Sequence, residues 1–206
     1  MEEFQQELIR IQDGYELSNF LNKYVFHGTP FVFKDRERDY FDFRHMIAKQ
    51  FNVHYTKIFI VGSAKLGFSY HKETIFSLES DIDVVIVDED LFNYYYEKIS
   101  DVQYALEKQS TIMTQLEESQ FNKFKSYLIK GWLRPDMLPH QLQIETIKND
   151  WFDFFRSISS DRTSVGNYKV SAGLFKNYNL LEKYYLIGLQ AKKHDLEMRN
   201  INNEIS

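Results

Sequence analysis

The chain contains no cysteine and has little proline or glycine. With no cysteine among its 206 residues, disulfides, thiolate metal sites and a cysteine nucleophile are all excluded. Only 3 Pro and 8 Gly argue against long disordered linkers. Hydrophobic residues make up 43% of the chain, enough to bury a real core. We therefore expect one domain covering residues 1–206.

The sequence also lacks a long hydrophobic run and a basic excess. No stretch approaches the roughly 18 apolar residues of a membrane span. Its first residues, Met1-Glu2-Glu3, do not follow the basic-then-apolar pattern of a signal peptide. We expect no membrane partner and a cytoplasmic location. The formal net charge of −5 weakens the case for a dedicated duplex-DNA binder, although it leaves room for a local basic groove.

Three short runs rich in β-branched residues interrupt an otherwise helical pattern. The runs at 55–61 and 82–87 do not alternate with polar residues, which predicts buried strands. Residues 168–175 are predicted as a third strand. The segments with helical periodicity are 2–25, 36–51, 91–130, 140–159 and 179–197, with a loop at 132–139.

These elements predict an α+β domain with a small mixed sheet surrounded by helices. We expect the core strands and the functional site in residues 53–90 together with 165–178. Residues 91–160 form a helical extension and residues 2–52 the N-terminal helices in this prediction.

Two acids stand two residues apart at the start of the second β-rich run. Side chains so spaced on a strand share one face, so we expect Asp81 and Asp83 to lie about 7 Å apart along the chain. Carboxylates this close disfavour each other's ionisation, and a divalent cation removes that penalty. Magnesium accepts such ligands and keeps positions open for triphosphate oxygens, and two ions can clamp the attacking and leaving oxygens. We therefore predict that Asp81 and Asp83 are catalytic and hold two Mg²⁺ ions.

The first β-rich run ends at Gly62-Ser63. Glycine lets a phosphate approach the backbone closely, and the N–H groups of such a turn, with the Ser63 hydroxyl, can bind it. Lys65 and Lys176 are candidate cations for the nucleotide phosphates; for each, an ordinary surface lysine is the alternative. If the two strands are neighbours, the turn presents a triphosphate to the acids.

The order Gly62-Ser63, Gly67 and Asp81-Ile82-Asp83, each part attached to a β-rich run, resembles the DNA polymerase beta-like nucleotidyltransferase superfamily over residues 56–88. The resemblance implies that Gly62 and Ser63 form the phosphate-binding turn for a nucleoside triphosphate such as ATP. It implies a hydroxyl acceptor on a nucleotide, a nucleic-acid end or a protein side chain. Similar stand-alone bacterial proteins often belong to antiphage defence or toxin–antitoxin pairs, so an effector or toxin protein is an expected partner.

The sequence departs from this superfamily in two ways. The spacing between Ser63 and Asp81 is longer than in minimal members, which predicts an inserted loop at 68–80 that shapes the nucleotide pocket. The third acid of the superfamily is missing from 168–175, and Asp136, Asp153 and Asp161 are the candidates from elsewhere. The alternative function is therefore a non-catalytic or antitoxin-like protein of this fold that binds a nucleotide or a partner protein.

Overall fold

A four-stranded mixed sheet lies between two layers of helices. The computed structural model describes residues 1–108, 113–139 and 147–205, apart from the side chains of Lys148 and of residues 203–205. In sheet order the strands are β1 (Ile58–Val61), β4 (Ile82–Val87), β6 (Val170–Phe175) and β5 (Trp132–Leu133). Strand β4 is antiparallel to β1 and parallel to β6, and β5 is antiparallel to β6. The α+β class is thereby confirmed.

Helices account for most of the described chain. Their bounds are α1 (Glu2–Arg10), α2 (Gly14–Leu21), α3 (Glu37–Phe51), α4 (Gly62–Leu66), α5 (Glu89–Glu107), α6 (Gln115–Ile129), α7 (Phe154–Ser157) and α8 (Tyr178–Ile205), with π-helical turns at Asn22–Phe26 and Lys148–Asp153 and 3₁₀ turns at Phe31–Phe33, Tyr55–Lys57 and Pro135–Met137. The predicted helical residues 140–146 lie outside the described residues. None of the helices that the structure describes is long and apolar enough to cross a membrane.

The loop predicted at 132–139 is in part a strand. Trp132 pairs with Phe175 and Leu133 with Leu174, so β5 forms an edge of the sheet. A two-residue strand is too short to show period-2 alternation, which is why the sequence pattern did not indicate it. The strand begins directly after Gly131, which has φ +73° and follows the C-terminus of α6.

Both faces of the sheet are buried, which explains why the strand sequences do not alternate with polar residues. Ile60, Val84 and Leu174 point to a core shared with α3, α5 and α6. On the opposite face, Val85 and Phe175 join a second core shared with α1, α2 and α8. Asp83 lies on this second face of β4, next to Val85 in the alternation.

The predicted inserted loop at 68–80 contains a hairpin, β2 (Phe68–Ser69) paired with β3 (Thr74–Ile75). Its turn is attached to α8 by ion pairs. Glu73 Oε1 lies 2.5 Å from Nζ of the buried Lys192 and 2.7 Å from Nη1 of Arg199. The hairpin and α8 therefore form a wall over the face of the sheet that carries Asp83.

Candidate functional site

The acid pair lies at the start of the central strand β4. Asp83 is paired with Val61 on β1 and with Ser171 on β6. The Ser171 hydroxyl donates a hydrogen bond of 3.1 Å to Oδ1 of Asp83. Nζ of Lys169 lies 3.4 Å from Oδ2 of Asp81. Both carboxylates thus lie at one end of the sheet, Asp83 beside Ser171 of β6 and Asp81 beside Lys169, which directly precedes β6.

The glycine turn adjoins this acid pair. Gly62 directly follows β1 and has φ +65°, a conformation that favours glycine. A Cβ atom built on Gly62 would lie 3.2 Å from Oδ2 of Asp83. Ser63 lies within α4, where its carbonyl accepts the N–H of Gly67, and Gly62 rather than Ser63 lines the cavity described next. The structure therefore brings Gly62 beside Asp83, and both residues line one cavity with Asp81.

A cavity of about 1340 Å³ opens over the acids. From the Gly62 turn it passes over Asp83 and extends across β6 and β5 towards α8. Tyr70 and His71 of the hairpin and Tyr184 of α8 line the opposite wall. The volume exceeds the roughly 300–1,000 Å³ of most small-molecule and cofactor sites, so the cavity has room for a ligand of nucleotide size.

The environment of Asp83 opposes its ionisation. Its side chain reaches water inside the cavity but has protein on most sides, so desolvation raises its pKa. The Asp81 charge raises this pKa further, whereas the Ser171 hydrogen bond, Arg134 and Lys169 lower it. A cation bound between the two acids would favour ionisation, because it stabilises both carboxylates.

The two other predicted nucleotide-binding residues lie away from the acids. Lys65 is buried, and its Nζ donates hydrogen bonds to the carbonyls of His27 and Gly28, so it supports the backbone ahead of the Phe31–Phe33 turn. Lys176 follows the C-terminal end of β6, at the opposite end of the sheet, with Nζ 3.5 Å from Glu89. Neither side chain is among the described residues that line the cavity.

Burial lowers the pKa of Lys65 from 10.5 to about 8. The folded chain gives up this proton near pH 8, whereas the unfolded chain keeps it to about 10.5. Between these values the unfolded state binds more protons, so this group makes the free energy of unfolding rise with pH. We expect stability of the wild type, measured by denaturant unfolding against Lys65→Met, to increase by roughly 1–3 kcal/mol across this window. The exposed Lys49→Met variant is the control. If the free energies of unfolding of wild type and Lys65→Met differ by the same amount at every pH in this window, the burial argument is contradicted.

The three candidate third acids have different positions. Asp136 lines the cavity, but its Oδ2 pairs with Nη2 of Arg134 at 2.7 Å. Asp153 pairs with Arg156, and Asp161 lies in a turn with φ +61°. On β6 the residue facing Asp83 is Ser171. In the part of the chain that the structure describes, no group of three or more His, Asp or Glu side chains could hold a metal ion.

The donor set at this end of the sheet fits one magnesium ion. Magnesium is usually held by one or two carboxylates and completes its shell with waters and substrate phosphates. Asp81 and Asp83 would supply the carboxylates, and the cavity leaves space on their open side. For the second ion of the prediction, the one further carboxylate among the described residues that line the cavity is Asp136.

Sequence reasoning missed the residues on the far side of the cavity. Trp132 stacks on Phe175 with ring centroids 5.2 Å apart, and the guanidinium of Arg134 lies 4.9 Å from the Trp132 ring. Glycine at position 173 leaves room for the Trp132 ring, because a Cβ atom there would lie 2.5 Å from Nε1 of Trp132. The Trp132-Leu133-Arg134 sequence in a predicted loop was the available signal.

Comparison with known protein families, curated proteins and solved structures finds no significant match to this chain.

Proposed function

We propose that this protein is a magnesium-dependent nucleotidyltransferase that transfers a nucleoside monophosphate from a nucleoside triphosphate to a hydroxyl acceptor. The observation that carries the proposal is the closeness of the glycine turn to Asp83: a Cβ atom placed on Gly62 would lie 3.2 Å from Oδ2 of Asp83. A phosphate chain against that turn would lie beside both carboxylates, in a cavity with space for a nucleotide.

The proposed reaction is a substitution at the α-phosphorus of the triphosphate. The acceptor hydroxyl oxygen forms a bond to that phosphorus, and the bond to the β-phosphate oxygen breaks. Pyrophosphate leaves with the electron pair, and the hydroxyl proton passes to water in the cavity. Such reactions need little covalent chemistry from the protein, so positioning and electrostatic stabilisation supply most of the rate.

The residues of this chain supply that positioning. Asp81 and Asp83 would hold the metal ion, which when bound neutralises phosphate charge and polarises the reacting phosphoryl group. The Gly62 backbone would bind the phosphates, and the Ser171 hydroxyl fixes the orientation of Asp83 through its 3.1 Å hydrogen bond. The hairpin and α8 limit the access of water from one side.

Incubation with each labelled ribonucleoside or deoxyribonucleoside triphosphate tests the proposal. With magnesium present, we expect pyrophosphate release from at least one triphosphate together with a labelled product. Chelation of the metal should stop the release. Absence of release with every triphosphate and acceptor class, by a folded protein, would reject the proposed activity.

The alternative of a non-catalytic binding protein is supported by one observation. The residue facing Asp83 on β6 is Ser171, where a carboxylate would complete a larger metal site. Calorimetric titration separates the two functions, since the alternative predicts nucleotide binding without pyrophosphate release. A label transferred to a partner protein would instead identify a protein side chain as the acceptor.

A further inference from the structure

The cavity carries a positive charge that the chain as a whole lacks. Among the described residues, six lysines and arginines and three aspartates line it. The whole chain, in contrast, has 25 Lys and Arg against 30 Asp and Glu. The six cations are Lys130, Arg134, Arg156, Arg162, Lys169 and Lys183. Charge of one sign concentrated in a concave site raises the local concentration of ligands of the opposite sign.

Part of this charge lies on the side of the acids away from Gly62. The turn that carries Arg162 is fixed beside β6, because the N–H of Ser160 donates to the carbonyl of Tyr168 at 2.8 Å. Lys169 immediately precedes β6 and lies 3.4 Å from Asp81. Since β4 separates β1 from β6 in the sheet, the acids lie between the Gly62 turn and these cations.

These cations are available to a ligand. Arg162 and Lys183 are exposed, and neither makes an ion pair with another residue in the described ranges. Arg156 pairs with Asp153, but their side chains are 75% and 51% exposed, so the pair is weak and can be exchanged for a phosphate. Arginine also binds phosphate oxygens with two parallel hydrogen bonds, which fixes the orientation of the ligand.

Resting on the proposed function, we propose that the acceptor is itself a nucleotide, whose phosphate is bound by Arg156, Arg162 and Lys169 while its hydroxyl faces Asp81 and Asp83. A triphosphate at the Gly62 turn lies on the other side of the acids and leaves these cations to a second anion. An uncharged acceptor would leave Arg162 without an ion-pair partner among the described residues. A free mononucleotide carries a phosphate monoester and the 3′-terminal residue of a single strand a diester, and both present anionic oxygens to these cations.

The test compares acceptors with and without phosphate. Wild-type protein receives a labelled triphosphate, magnesium and one of three acceptors: a nucleoside monophosphate, the matching nucleoside, or a short single-stranded RNA with a free 3′ hydroxyl. We expect the phosphorylated acceptor to exceed the nucleoside in kcat/KM by roughly tenfold or more. A dinucleotide product identifies the free nucleotide as the source, and a strand longer by one residue identifies the RNA.

The variant Arg156→Gln/Arg162→Gln assigns this preference to the cations. We expect it to raise KM for the phosphorylated acceptor by roughly tenfold and to leave KM for the triphosphate within about twofold. Arg38→Gln is the charge-matched control, because Arg38 is exposed on α3 and outside the described cavity lining. Equal use of nucleoside and nucleotide by the wild type, or equal effects of the variant on both KM values, would overturn the inference.

A binding measurement separates this inference from the proposed activity. The nucleoside monophosphate is titrated into wild type and variant without triphosphate. Weaker binding to the variant, with no pyrophosphate release by either protein, would support the anion site and reject the transfer reaction. Pyrophosphate release with only uncharged acceptors would support the transfer reaction and reject the anion site.

Discussion

Replacing Asp83 with asparagine is expected to lower pyrophosphate release by roughly 10²–10³-fold, since loss of a metal-binding charge removes several kcal/mol of transition-state stabilisation. The amide keeps the shape of the carboxylate and can still accept the 3.1 Å hydrogen bond from Ser171. Its single oxygen carries no full charge to hold the ion beside Asp81. The variant should therefore bind magnesium and triphosphate weakly while keeping the native fold.

Stability is expected to respond in the opposite direction. Burial raises the pKa of the Asp83 carboxyl. At neutral pH the ionised carboxylate therefore lowers the free energy of unfolding of the metal-free protein. Asparagine removes the charge, and the free energy of unfolding measured in chelator should stay the same or rise by at most about 1 kcal/mol. A fall in both activity and stability would indicate a structural role for Asp83.

Asp42→Asn is the matched control for this prediction. Asp42 is exposed on α3 and lies outside the cavity among the described residues, so the same chemical change there should alter neither property. Pyrophosphate release that is equal in Asp83→Asn and Asp42→Asn would contradict a catalytic role for the acid pair.

The local sequence predicted the strands of the site because buried strands and their ends have strong local signals. Runs of β-branched residues indicated β1 and β4, and the alternation of side chains placed Asp81 and Asp83 on one face. Their approach to Gly62 depends on β1 and β4 being neighbours, which the sequence could only suggest. The structure supplies that pairing through the register of Val61 with Asp83.

Residues contributed by distant segments could not be predicted in the same way. Ser171 faces Asp83 only because β6 pairs in parallel with β4 across 88 residues of sequence. Lys65 follows the glycine turn closely, yet the first turn of a helix directed it to the carbonyls of His27 and Gly28. Proximity in sequence therefore predicted a backbone turn correctly and a side-chain direction poorly, because direction depends on what packs against the helix.

Replacing Gly62 with alanine tests the contact on which the proposed function depends. At φ +65° an alanine costs about 1–2 kcal/mol of stability through backbone strain alone. Gly28→Ala is the matched control, because Gly28 has φ +73° and no atom within 4 Å of a built Cβ. Denaturant unfolding should therefore show similar losses of stability for the two variants.

The rate of pyrophosphate release should distinguish Gly62→Ala from Gly28→Ala. The new methyl group of Gly62→Ala would lie 3.2 Å from Oδ2 of Asp83, tighter than most Cβ contacts, so the carboxylate must shift or the turn must widen. Either movement displaces the phosphate from the metal ligands, and a misplacement of about 1 Å can cost roughly 10²-fold in rate. We expect pyrophosphate release to fall by about that factor in Gly62→Ala and to change little in Gly28→Ala. Equal rates in two equally destabilised variants would mean that the phosphate chain does not lie against Gly62, because strain alone cannot distinguish the two positions.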